Sequence, residues 1–158
     1  MINFHESYKS KNTIKYLERV VNKNSYATDY FRSGVEEYLS DKFGYKNFLL
    51  THSATAALEI AAILSQQKGI KRAMLPSYTF SSTANAFLRS NTNIKFCDIH
   101  QKDFNIDLSK IRSFKGSDAL CLVHYANSSS EISYAKKLNF NILIEDAAQS
   151  FNAKYDNK

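Results

Sequence analysis

The stretch that decides the fold is AMLPSYTFSSTANAFLRSNTNIKFC, residues 73–97. Ala73 to Leu75 is a short apolar run closed by Pro76, which cannot donate to a strand ladder. Ser81 to Arg89 reads as a helix, and Ile94 to Cys97 as a second strand. Strand, helix and strand in succession predict a crossover unit, in which the two strands run parallel and the connection is right-handed.

The alternation continues outward on both sides. Upstream, Ser53 to Gln66 reads as a helix with Ala54, Ala57, Leu58, Ala61 and Ala62 inward and Gly69 beyond its end, after a short strand over Asn47 to Leu50. Two helices come before it. Thr13 to Lys23 carries Ile14, Leu17, Val20 and Val21 on one face. Asp29 to Phe43 carries Phe31, Val35, Tyr38, Leu39 and Phe43, with Asp29 as N-cap and Gly44 as left-handed C-cap. Downstream, the pattern predicts a short helix over Leu108 to Phe114, a strand over Ala119 to Val123, a helix over Glu131 to Leu138 and a strand over Asn141 to Ile144. The expectation is an α/β domain with five parallel strands and flanking helices. The polar stretch from Ala153 to Lys158 offers nothing to cover the last strand, so the sheet reads as truncated.

Composition narrows the class. The 158 residues are 44% hydrophobic with one Pro and four Gly, which excludes a disordered chain and a turn-rich β-sandwich. The formal net charge is +6, but Lys and Arg are scattered, with Lys71-Arg72 and Lys136-Lys137 the adjacent pairs. Nucleic-acid binding needs a clustered basic face, so no nucleic-acid partner is expected. Cys97 and Cys121 lie in apolar runs with no metal-ligand spacing around them, which reads as two reduced, buried thiols and no metal. Met1 to Glu6 does not begin a signal peptide, and no apolar run approaches the roughly 20 residues of a membrane span. The expected location is the cytoplasm.

In an open α/β sheet, ligands bind at the carboxyl ends of the strands. The residues there are Thr51 to Thr55, Pro76 to Phe80, Asp98, His124 to Asn127 and Glu145 to Gln149. Neither a P-loop nor a G-x-G-x-x-G turn is present, so two common nucleotide sites are excluded. Thr51 to Ala56 suits an anion at a helix N-terminus, and equally a Ser/Thr cap on a buried helix. Tyr78 and Phe80 read as a cleft mouth or as core. Asp146 reads as a site carboxylate or as the N-cap of a following helix. His124 reads as a satisfied core or rim histidine or as a site residue.

Four segments in order, SATAALE (53–59), PSYTFSSTANA (76–86), VHYA (123–126) and EDAAQ (145–149), resemble the DegT/DnrJ/StrS-type sugar aminotransferases. The resemblance runs from about Tyr30 onward. It implies a fold-type-I large domain for pyridoxal 5'-phosphate, with residues 1–158 as its N-terminal portion and the small C-terminal domain absent. It also implies site roles. Thr55 and Ala56 match residues that hold the cofactor phosphate, and Phe80 matches the aromatic on the pyridine ring. Asp146 matches the carboxylate at the ring nitrogen, Gln149 matches the amide beside the ring, and His124 falls near the substrate face. The implied reaction is amino transfer from an amino acid, glutamate, to a keto-sugar nucleotide such as dTDP-4-keto-6-deoxyglucose. The family forms homodimers.

The sequence also departs from the family. The lysine that carries the cofactor lies downstream of the Asp146 segment in these enzymes, and neither Lys154 nor Lys158 stands in its motif. Asn127 stands where Gly usually follows VHYA, and Tyr26-Ala27-Thr28 replaces glycines before the second helix. The missing lysine predicts no activity for this chain alone. The alternative is a non-catalytic fragment that binds cofactor or a complementing partner chain.

Overall fold

A computed structural model of the protein describes residues 10–26 and 29–151. The chain divides into two compact units, Met1–Leu50 and Thr51–Lys158. In the first, helix α1 (Thr13–Asn22) presents Ile14, Leu17 and Val21 to solvent, and neither it nor α2 (Asp29–Phe43) buries a residue. Asp29 is the first helical residue rather than a cap, and its carboxylate takes a hydrogen bond from Arg32 Nε at 3.2 Å. The strand expected over Asn47 to Leu50 does not form. A strand needs a ladder partner, and here the Leu50 amide donates to Glu36 Oε1 at 3.2 Å while Leu49 is exposed.

The second unit begins with α3 (Ala54–Gln67). Ser53 caps it in extended geometry, its Oγ accepting from the Ala56 amide at 3.2 Å. Then follow β1 (Arg72–Pro76), α4 (Ser81–Arg89), β2 (Asn93–Cys97), β3 (Asp118–Val123), α5 (Ile132–Lys137) and β4 (Ile142–Asp146). The four strands are parallel in the order β2-β1-β3-β4. The sheet therefore has four strands where five were expected. The helix expected over Leu108 to Phe114 is a single 3-10 turn, Leu108–Lys110. Asp107 Oδ1 takes both the amide and the hydroxyl of Ser109, and Ile111 is already extended at ψ 102°.

The two-residue period of the strands builds two cores. On one face, Ala73 and Leu75 of β1 and Ala119 and Cys121 of β3 pack against Leu58, Ala62, Ala86 and Phe87 of α3 and α4. On the other, Met74, Leu120 and Leu122 pack against Ile106, Leu108, Ile132 and Ala135. The central strands are covered on both sides, so they read as unbroken apolar runs. At the amino ends of β1 and β3, Arg72 and Asp118 are register partners and form a partly buried ion pair, with Arg72 Nε 3.2 Å from Asp118 Oδ1.

With glycine scarce, asparagine ends the helices. Asn24, Asn91 and Asn139 take φ of 50°, 57° and 56° just past α1, α4 and α5, the positions that Gly44 and Gly69 hold after α2 and α3. Asn tolerates the left-handed region better than any residue with a bulky Cβ substituent.

Candidate functional site

The chain passes from β1 outward to β2, then returns across β1 to lay down β3 and β4. Strand order reverses between β1 and β3, and the crevice at their carboxyl ends is where such sheets bind ligands. A cleft of about 210 Å³ lies there. Ala54 and Thr55 from the start of α3 line it, together with Thr79 and Phe80 after β1, His124 and Tyr125 after β3, and Asp146 and Gln149 at the end of β4. Thus Thr55, Phe80, His124, Asp146 and Gln149 are brought together. Ala56 does not line the cleft, and its amide is taken by Ser53 Oγ. The amides of Ala54 and Thr55 precede the first intrahelical hydrogen bond and point to the helix N-terminus.

Phe80 is 73% exposed. Core packing is therefore not its role: it stands at the start of α4 with its ring at the edge of the cleft, while its carbonyl accepts from the Thr83 amide at 3.1 Å. Asp146 is held from two sides. Thr83 Oγ1 donates to Oδ2 at 2.9 Å, and the Ala148 amide donates to Oδ1 at 3.2 Å. Among the described residues Asp146 caps no helix: a turn follows it.

His124 is buried, and its hydrogen bonds fix its tautomer. Nδ1 accepts from the Ser130 amide at 3.1 Å, so Nδ1 carries no proton. Nε2, 3.0 Å from Glu145 Oε2, must then donate to it. That bond holds the Glu145 carboxyl below its ordinary range, against the opposing effect of burial. The ring is thus fully used in tying β3, β4 and the 128–130 loop together. What it offers the cleft is a wall.

Gln149 Oε1 accepts from the Ala126 amide at 2.8 Å, which leaves the side-chain NH2 as the free end of the group. That contact depends on a left-handed pair, Ala126 at φ 48° and Asn127 at φ 64°. Asn127 thus holds a left-handed backbone position, one that asparagine tolerates and glycine meets without strain.

Several organising residues escaped the sequence reading. Thr83 is one. Asn105 is another: buried, it accepts from the Tyr125 amide at 3.1 Å and donates to Ser128, fixing the loop after β3. Tyr125, Tyr78 and Phe104 then form an aromatic group with ring centroids 5.1–5.8 Å apart. Thr83 stands in the polar run Ser81-Ser82-Thr83 and Asn105 between Asp103 and Asp107, so neither neighbourhood signals a buried polar side chain.

The cleft is largely apolar, with charge of opposite sign at two sides. The positive end of α3 faces one side and the Asp146 carboxylate another, with an exposed aromatic face beside them. That donor set suits a flat ligand with an anionic group at one end and a cationic ring atom at the other. Among the described residues no lysine lines the cleft.

The pattern of the DegT/DnrJ/EryC1/StrS aminotransferase family matches residues 7–158. The chain belongs to that family. It is 36% identical over 130 residues to a UDP-4-amino-4,6-dideoxy-N-acetyl-beta-L-altrosamine transaminase of Campylobacter jejuni, a match covering 76% of this chain and 34% of that protein. It is 29% identical over 147 residues to the dTDP-4-amino-4,6-dideoxy-D-glucose transaminase of Escherichia coli, covering 89% of this chain and 39% of the relative. The chain thus spans little more than a third of the relatives it matches. Among solved structures, a GDP-4-keto-6-deoxymannose-3-dehydratase with a trapped PLP-glutamate geminal diamine superposes with a TM-score of 0.85 at 22% identity, over 97% of this chain and 42% of the other. That protein is a dehydratase and the first two are transaminases, so the shared fold does not distinguish these reactions.

No helix among the described residues is long and apolar enough to cross a membrane, and no group of three or more acidic, His or Cys side chains among them could hold a metal.

Proposed function

We propose that the cleft holds pyridoxal 5'-phosphate, and that residues 1–158 are the N-terminal portion of the cofactor-binding large domain of a cytoplasmic sugar-nucleotide aminotransferase. The observation that carries this is the convergence of Thr55, Phe80 and Asp146 on one cleft, from three elements far apart in sequence. The reaction is amino transfer from an amino acid, glutamate, to a keto-sugar nucleotide such as dTDP-4-keto-6-deoxyglucose. The named activities of the two transaminase relatives support the substrate class, and the glutamate trapped in the dehydratase supports the donor. As in the family, the working unit is a homodimer.

Bound pyridoxal phosphate supplies an electron sink, and its ring works best with the nitrogen protonated. Each group of the chain has a part in that. The first amides of α3 and the Thr55 hydroxyl receive the phosphate, where the helix end contributes about 0.3–1 kcal/mol without needing a lysine. Asp146 keeps a proton on the ring nitrogen through charge pairing. Phe80 covers a face of the ring and excludes water from it. Gln149, its carbonyl held by Ala126, directs its NH2 toward the ring substituents. Among the described residues the cleft brings no lysine, so what these groups supply is binding and orientation of the cofactor.

The experiment is equilibrium binding of pyridoxal phosphate by the 158-residue chain and by Asp146→Asn. One equivalent bound, weakened about 10- to 100-fold by the substitution, is expected, because a hydrogen bond to a charged group contributes about 1.5–3 kcal/mol. Binding unchanged by Asp146→Asn would refute the assignment of the ring nitrogen to Asp146.

A further inference from the structure

Thr83 is fully buried, on the first turn of α4, and its hydroxyl reaches across to Asp146 Oδ2 at 2.9 Å. Thr79, in the loop just before α4 and lining the cleft, places its own hydroxyl 3.0 Å from that of Thr83. Each hydroxyl has a single proton, and an ionised carboxylate only accepts. The Thr83 proton therefore points at Asp146, and the Thr79 proton points at Thr83. The two threonines form a directed chain of donors ending on one carboxylate oxygen. The other oxygen takes the Ala148 amide at 3.2 Å, so the carboxylate is clamped about both oxygens.

A threonine on a helix facing the interior ordinarily returns its hydroxyl to a carbonyl of the preceding turn. Ser65 of α3 does so, donating to the Ala61 carbonyl at 2.7 Å. Thr83, on the first turn of its helix, has no preceding helical turn to bond, and its hydroxyl reaches a carboxylate 63 residues away. We propose that Thr83, loaded by Thr79, is the positioning residue of this site: it fixes the rotamer of Asp146 so that the carboxylate faces the cationic ring nitrogen of the bound cofactor. This rests on the cofactor reading given above. Thr83 itself does not line the cleft, so it acts through Asp146 alone.

Pyridoxamine 5'-phosphate is the probe, because it binds without a lysine. Its affinity and the pH dependence of its bound near-ultraviolet absorption are measured for the unaltered chain, Thr83→Val, Thr83→Ser and Asp146→Asn. Thr83→Val keeps the shape and loses the hydroxyl. It is expected to bind about tenfold more weakly, a loss of about 1.4 kcal/mol, and to lose the ring proton at lower pH than the unaltered chain. Thr83→Ser restores both readouts. Thr79→Val, which unloads the chain but leaves the Thr83–Asp146 bond, gives a smaller change in the same direction and serves if Thr83→Val fails to fold. A folded Thr83→Val with the affinity and pH profile of the unaltered chain would overturn the inference while leaving the cofactor reading intact. Probe binding that Asp146→Asn leaves unchanged, or no binding by the unaltered chain, would overturn both.

Discussion

Phe80→Ala separates binding from folding. Phe80 is 73% exposed, so only about a quarter of the residue's surface contributes to the fold. A fully buried aromatic side chain removes about 150–250 Å² from water. The buried share of Phe80 is then about 50 Å², or about 1 kcal/mol at ~25 cal/mol per Å². The backbone duties of the position survive the change, since the side chain makes no capping bond and the carbonyl still accepts from Thr83. A planar ligand lying on one face of the ring would cover about 60–80 Å² more, which is about 1.5–2 kcal/mol, or 10- to 30-fold in affinity. Phe87, on the same helix and fully buried, is the internal contrast: its truncation removes core volume and is expected to destabilise by about 3–5 kcal/mol. The assay is a thermal melt followed by far-ultraviolet circular dichroism, which suits a chain without tryptophan, paired with a pyridoxamine phosphate titration. For Phe80→Ala the melt should fall by no more than about 2–4 °C, with binding weakened at least about tenfold. A melting loss as large as that of Phe87→Ala, or an unchanged dissociation constant, would refute the reasoning.

Two further outcomes concern the frame around the site. Burial raises the Asp118 carboxyl, but the Arg72 guanidinium and the Lys115 amide outweigh it and hold Asp118 below its ordinary value. A depressed carboxyl contributes stability above its unfolded pKa of about 3.9 and loses it as pH falls through the folded value. Arg72→Met removes the guanidinium that lowers this carboxyl and leaves the Lys115 amide as its remaining partner. The variant should be about 3 kcal/mol less stable at pH 7, the low end for a broken buried pair because Arg72 is partly exposed. The deficit should shrink as pH falls below about 3.9, where Asp118 takes up a proton in both proteins and the pair is lost, as urea unfolding at pH 7 and about pH 3 would show; a deficit constant with pH would count against it. Asn127→Val places a β-branched residue at φ 64° and should lower stability by about 1–2 kcal/mol, whereas Asn127→Gly should be nearly neutral, both read from melting temperatures.

The sequence determined what is local. Ala73 to Leu75, Ser81 to Arg89 and Ile94 to Cys97 declared themselves by period and punctuation, and the structure has them within a residue or so. That alternation by itself dictated a parallel sheet, and the strand-end rule placed Phe80, His124, Asp146 and Gln149 at one cleft; Thr55 lines it from the start of α3, although the strand expected before it does not form. Asn47 to Leu50 and Leu108 to Phe114 show the limit. Each has the composition of a regular element, and in each the backbone hydrogen bonds went elsewhere, to the Glu36 carboxylate in one case and to the Asp107 cap in the other. Only the tertiary structure decided the order β2-β1-β3-β4, because strand pairing is set by which apolar faces meet and not by spacing along the chain. It alone made Phe80 a cleft residue rather than a core one, and it alone turned His124 into a strut, through Ser130 on one nitrogen and Glu145 on the other. The Thr83–Asp146 bond spans 63 residues, and no local pattern records it. A hydrogen bond is specified by where two atoms end up in space, and one-dimensional periodicity carries that information only for neighbours along the chain.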